Sequence, residues 1–152
     1  MTEADLLQAV EGLLASQRLG EPVFVRCLLL TANPTADPAH RLAQLAGTIR
    51  RWFGVPLARL YAAGTVAEGQ ASVSLQFASG VTGLVVLARC PEGADNLDLL
   101  ILGNHGAAYH EATTGEGWEE TRLQHMDPDL HAAIQRSLDC GRPEVTSSGA
   151  DP

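Results

Sequence analysis

The sequence predicts an α+β fold: an open, mainly antiparallel sheet with helices on one face and its other face in a subunit interface. Three observations carry that expectation. Segments bounded by Pro and Gly run in the order helix, strand, helix, five strands, helix, and the links between the late strands are short. Short links favour antiparallel pairing, with the helices gathered on one side. The stretch "ASVSLQFASGVTGLVVLA" (71–88) then changes pattern at its turn. Val73, Leu75 and Phe77 alternate with Ser72, Ser74 and Gln76, as in a strand wet on one face, whereas Leu84, Val85, Val86 and Leu87 are apolar on both faces. "LDLLILG" (97–103) is apolar on both faces as well.

Each element has a local reason. Thr2 is a candidate N-cap, and Leu6, Val10, Leu13 and Leu14 form one helical stripe ending near 17–20 at Gly20. Pro22 opens an extended run through 31, rich in Val and Leu. "TANPTADP" reads as loop, after which Asp37 as cap and Pro38 in the first turn start a helix through Phe53, stopped by Gly54. Strands are expected at 57–65, 72–78, 81–89, 97–102 and 107–113, with Ser79-Gly80 and "NHG" as tight turns. "TTGEGWEETRLQHM" is ambiguous, with a further strand near Trp118 as one reading. Asp127-Pro128 caps a last helix over 129–139, with Gly141 as its stop, and "RPEVTSSGADP" reads as a loose polar tail. One domain over 1–146 and a disordered tail over 147–152 follow.

A sheet covered by helices on one face needs only alternating strands. Strands apolar on both faces need a second cover, and a second copy of the chain is the economical one. Leu84, Val86, Leu100 and Leu102 are therefore expected at a homodimer or higher homo-oligomer interface. In the rival arrangement these strands are central and the terminal helices wrap both faces.

The chain has 152 residues, 45% of them hydrophobic and 18% charged, within the globular range. A formal charge of −8 argues against nucleic acid or an anionic membrane as partner. All ten basic residues are Arg, so these residues supply no lysine for Schiff-base, phosphate-binding or general-acid chemistry. Cys27, Cys90 and Cys140 are odd in number and widely spaced, which reads as reduced thiols in a cytoplasmic protein, with Cys27 in the core. No apolar run approaches the ~20 residues of a membrane span, and no signal peptide is read at the start.

"LLASQRLGEPVFVRCLL", "AGTIRRWFGVPLARLYAAGT", "ASVSLQFASGVTGLVVLA", "LDLLILGNHGAAYHE" and "DLHAAIQRSLDCGRPEVT" stand here in an order and spacing that resembles the second domain of the Gfo/Idh/MocA oxidoreductases, from about Leu6 to Thr146. The resemblance implies the substrate and dimerisation half of a dehydrogenase. Those enzymes also carry a Rossmann domain with a Gly-rich nucleotide turn and a catalytic lysine in a Glu-Lys-Pro segment. Neither feature occurs in these 152 residues, so no cofactor is expected. The family's Asp-x-x-x-His pair, at the start of the helix after the first strand, falls on His40 and Gln44.

Asp37 and His40, neighbours at i, i+3, form the best local acid–base pair and are weak catalytic candidates. Without such a role they are an N-cap and a surface histidine. Ligand-binding candidates are His40, Gln44, Arg50 and Arg51, the last two as a basic pair that suits an anion or forms a solvated helix face. Trp52, Phe53, Tyr109 and Trp118 line a pocket or anchor the core. His105 sits in a turn, five residues from His110, and with His125 and His131 the imidazoles lack any metal-ligand spacing, so no metal is expected. Three functions remain: a non-catalytic, self-associating scaffold or small-ligand binder; the substrate subunit of a split NAD(P)-dependent dehydrogenase that works with a separate Rossmann-domain protein; and a histidine-dependent haem or metal binder.

Overall fold

A computed structural model describes residues 3–32, 37–93, 95–113 and 127–146. The elements are α1 (Glu3–Ala15), β1 (Pro22–Thr31), α2 (Pro38–Phe53), β2 (Leu57–Thr65), a 3-10 turn (Val66–Glu68), β3 (Gln70–Phe77), β4 (Thr82–Arg89), β5 (Asn96–Gly103), β6 (Ala107–Thr113), α3 (Pro128–Cys140) and β7 (Glu144–Val145). The expected helices and strands are all present, with ends shifted by one or two residues. The Thr2 cap, the Trp118 strand and the 147–152 tail lie outside the described residues.

The seven strands form one sheet in the order β6-β5-β1-β4-β3-β2-β7. It is open and mostly antiparallel, and the fold is α+β. One pair departs from the hairpin rule: β1 and β4 run parallel, Arg26 opposite Leu84 and Leu28 opposite Val86. The reason is topological. The chain leaves β1 through α2, reaches the far side of the sheet at β2, and returns by two hairpin steps to β1's flank. From there the chain goes on to β5, on the other flank of β1, and both ends of the connection are tied to the end of β1: Cys90 N–H donates to the Thr31 carbonyl at 2.8 Å and Ala32 N–H to Asp95 Oδ1 at 2.7 Å. Residues of the polar tail are also drawn into the sheet: Glu144 and Val145 pair with Leu60 and Arg59.

Caps fix both later helices. Asp37 Oδ1 accepts from His40 N–H, and Asp127 from the N–H groups of Asp129 and Leu130; Gly54 and Gly141 close the helices in left-handed conformation. Gly103 lies so close to the Leu19 carbonyl oxygen that a Cβ has no room there. This contact latches the "NHG" turn to the α1–β1 loop, where Asn104 N–H donates to the Glu21 carbonyl and His105 N–H to that of Leu19.

The core lies between the helices and one sheet face. Val25, Cys27 and Leu29 of β1, Leu60 and Ala62 of β2, Val73, Leu75 and Phe77 of β3, Val85 and Leu87 of β4, and Leu97, Leu99 and Ile101 of β5 are buried there. α2 is the central cover, buried from Pro38 to Ile49 except at His40; Ala39, Ala43, Ala46 and Gly47 allow a close approach. Phe53 meets Phe77 edge-on at 5.5 Å, and Trp52 packs on the same core.

The opposite face carries the remaining side chains. Phe24, Leu28, Leu30, Leu84, Val86, Ala88, Leu100 and Leu102 are half-buried there. Among the described residues, no helix packs on them: the buried strand residues all lie on the α1–α2–α3 side. Arg26 sits in this oily field, 3.3 Å from Asp98. Ser72, Ser74 and Gln76 flank it on β3.

Candidate functional site

Three places gather chemistry. The first is the N-terminal end of α2. Asp37, about half exposed, caps the helix with Oδ1, while its Oδ2 lies 3.4 Å from His131 Nε2 of α3. The His40 and His131 rings meet edge-on, their centroids 5.9 Å apart. His131 Nε2 is hidden from solvent, at ion-pair distance from Asp37 but outside hydrogen-bond geometry. A carboxylate and two imidazoles at a helix N-terminus can exchange a proton or meet an anion. Asp37 and His40 are thus together as read from their spacing; His131 is the member that reading missed. Its place in α3's first turn followed from the Asp127-Pro128 cap, but no local signal pairs it with a residue far back in the chain.

Gln44 is placed differently. One turn further into α2, it is buried, and its Oε1 accepts from Arg41 Nη1 at 3.2 Å, also buried. This pair lies inside the helical layer.

The second place is a cleft of about 660 Å³ between the C-terminal half of α2, α3 and β7. Arg50 and Arg51 line it, with Arg136, Asp127 and Glu144. Arg50 makes a 2.7 Å ion pair with Asp127, Arg136 a 3.0 Å pair with Glu144, and Arg51 Nη2 donates to Thr48 Oγ1 at 3.4 Å. Burial alone would raise the Asp127 pKa. The N–H groups of Leu130 and Asp129 and the Arg50 guanidinium outweigh that and hold its carboxyl below the ordinary value. The balance of three cations and three carboxylates on the walls, counting Asp129, makes the cleft polar rather than strongly basic.

The third place is the open sheet face. Leu84, Val86, Leu100 and Leu102 lie on it together, as the apolar patterning predicts, joined by Phe24, Leu28 and Leu30. At its edge, the Tyr109 hydroxyl donates to Asp98 at 3.1 Å; desolvation of that hydroxyl, then the carboxylates of Asp98 and Glu111, raise its pKa.

Among the other candidates, His105 is exposed in its turn and His110 lies on the helix-side face of β6. Trp118 and His125 lie outside the described residues. Among the described residues, no group of three or more His, Cys, Asp or Glu is set to hold a metal ion, and no helix is long and apolar enough to cross a membrane. Cys27 is buried, Cys90 partly buried and Cys140 exposed, none in a disulfide.

No protein-family model matches the sequence, and no curated protein matches it by sequence. Solved structures do match the fold. The myo-inositol dehydrogenase of Lactobacillus casei, in complex with NAD(H) and myo-inositol, superposes with a TM-score of 0.73 at 13% identity, over 96% of this chain and 60% of that one. A probable dehydrogenase of Thermotoga maritima gives 0.67 at 13% identity, over 91% and 60%. A myo-inositol dehydrogenase of Corynebacterium glutamicum gives 0.66 at 16%, again over 91% and 60%. The chain spans about three-fifths of the length of these dehydrogenases, consistent with a likeness to their C-terminal domain alone. The fold of this chain is therefore the one that inositol dehydrogenases of the Gfo/Idh/MocA type carry over that part of their length.

Proposed function

We propose that this chain is a self-associating domain of the dehydrogenase C-terminal type, acting as a scaffold or small-ligand-binding unit of the cytoplasm, with the open sheet face as its contact with a second copy. The observation that carries the reading is the run of half-buried Phe24, Leu28, Leu30, Leu84, Val86, Leu100 and Leu102 beyond the reach of the described helices. Contiguous apolar patches of this kind are rare on monomers and mark contact surfaces. A standard interface hides about 800 Å² per partner, and a seven-stranded sheet face can supply that area. The three-fold carboxylate–imidazole group at α2 has no lysine beside it in these residues. Titration calorimetry of the chain with NAD(H) and NADP(H) is expected to show no binding; micromolar affinity for either would overturn the non-catalytic part of the reading.

A second reading, a substrate-domain subunit of a split NAD(P)-dependent dehydrogenase, is favoured by one observation: Asp37, His40 and His131 sit together at a helix end within reach of solvent. Co-purification with a separate Rossmann-domain protein, and NAD(P)-dependent turnover on mixing the two, would establish it. A histidine-dependent haem site would show as a Soret band in the purified protein.

A further inference from the structure

The register of the sheet lays one row of side chains straight across the open face. Ala63 of β2 pairs with Ser72 of β3, Ser72 with Val86 of β4, and Val86 with Leu28 of β1. Beyond β1, Leu28 pairs with Asp98 of β5 and Asp98 with Glu111 of β6. Leu28 thus stands on the middle strand of the apolar field, with Leu84 and Val86 on one flank and Leu100 and Leu102 on the other.

The two ends of this row differ in relief. On the β2–β4 side, Ala63, Gly64, Ser72, Val86 and Ala88 line a hollow of about 320 Å³, to which no helix residue contributes. Gly64 keeps it open, because a Cβ there would meet the backbone of Gln70 and Ala71. On the β5–β6 side a ring stands up instead. Tyr109 is 58% exposed, yet its hydroxyl is held 3.1 Å from Asp98 and 3.5 Å from Glu111, the last two members of the row. An apolar cavity of about 150 Å³ takes benzene, so the hollow has room for this ring.

Ring and hollow are also equally far from β1. The Tyr109 hydroxyl is tied between β5 and β6, and the hollow centres on β4 and β3, each about 7 Å from Leu28 at the usual strand spacing. A two-fold axis along β1, between two facing sheets, exchanges the flanks and keeps position along the strands. It lays β5 over the partner's β4 and β6 over the partner's β3, with the strands aligned as in packed sheets. Glu111 then meets the hydroxyl of the partner's Ser72, a donor for its carboxylate. A two-fold crossing the strands at Leu28 would instead set Asp98 and Glu111 against the same carboxylates of the partner, and like charges in contact disfavour it.

We propose that two copies pack with their two-fold along β1 and the Tyr109 ring of each seated in the hollow of the other, so that Tyr109 fixes the register of the contact. This arrangement rests on the self-association proposed above. Tyr109 and Ser72 stand four strands apart in one chain, about 19 Å, so any coupling between them in association arises between copies. Sedimentation equilibrium of the full chain is expected to show Tyr109→Ala weakening dimerisation at least about a hundredfold, since two seated rings are lost. Ser72→Leu, which fills the hollow, should weaken it at least about tenfold. The double variant should be no weaker than Tyr109→Ala alone, because the leucine then has no ring to displace. On the unaltered chain, NOEs should join the Tyr109 ring to the Ala63 and Val86 methyl groups of a differently labelled copy. A dimer indifferent to Tyr109→Ala, strictly additive effects of the two substitutions, or absence of these NOEs in the dimer would overturn the arrangement and leave self-association standing. A monomeric wild-type chain would overturn both.

Discussion

Replacing Val86 with Asp tests the open face more sharply than any other single change. Val86 sits opposite Leu28 on β1 and Ser72 on β3, with no cation across from it. Leu84 is a poorer site, because Arg26 lies directly opposite and would receive an introduced carboxylate. Losing a buried Val contact forfeits about 1.5 kcal/mol, and placing a carboxylate in a dry apolar contact adds at least about 2 kcal/mol. In a two-fold interface the substitution counts twice, giving about 7 kcal/mol. At 1.4 kcal/mol per decade, this weakens association by about five orders of magnitude. Within the fold the residue is half-buried at a strand position, so stability should fall by no more than about 1 kcal/mol. Sedimentation equilibrium gives the first number and urea unfolding of the monomeric species the second. If Val86→Asp associates as the unaltered chain does, the face is not an interface and the reasoning fails.

Other consequences follow from single residues. Ser137 is fully buried; its Oγ accepts from Ala62 N–H at 2.9 Å and donates to the Arg142 carbonyl at 2.7 Å. Ser137→Ala strands that N–H and should cost about 1–3 kcal/mol, seen as a lower urea midpoint at unchanged slope. Asp127→Asn keeps an oxygen for the helix cap but loses the charge facing Arg50. Because the native Asp127 pKa is lowered, its contribution is fully present above the unfolded carboxyl pKa of about 4. It is lost as the pH falls through the native value. Unfolding series should therefore show the wild type ahead by about 0.5–1 kcal/mol at pH 7, with the gap closing as the pH is lowered into acid; a gap that stays constant in acid would contradict this. Gly103→Ala drives a methyl into the Leu19 carbonyl and should lower the thermal midpoint by several degrees, whereas Gly141→Ala meets open space and carries only the cost of its left-handed φ.

Local signals gave up most of the fold. Asp37-Pro38 with Gly54, and Asp127-Pro128 with Gly141, mark helices because cap and stop act within a few residues. The β3–β4 hairpin is legible because Val73, Leu75 and Phe77 must share one face. What escaped depends on distance along the chain. The parallel β1–β4 pair joins segments of like composition whose direction no hairpin dictates. β7 is two residues long, too short for any periodicity. Gln44 reads as a ligand-binding candidate, yet it is buried in α2 together with Arg41 and Thr48. The same holds for the sites. Asp37 and His40 are neighbours by spacing, while His131 and the Arg50–Asp127 pair arise from how α3 packs on α2. Arg50 and Arg51 were readable as a basic pair, but not the carboxylates that face them across the cleft.

Isotope-filtered NOE spectroscopy on a mixture of methyl-labelled and unlabelled chains asks directly what covers the second sheet face. Cross-peaks from the methyl groups of Leu28, Leu84, Val86 and Leu100 to protons of the unlabelled copy are expected, with none from the core methyls of Val85 and Leu87. Intermolecular peaks confined to the helices, or none at any concentration, would contradict it.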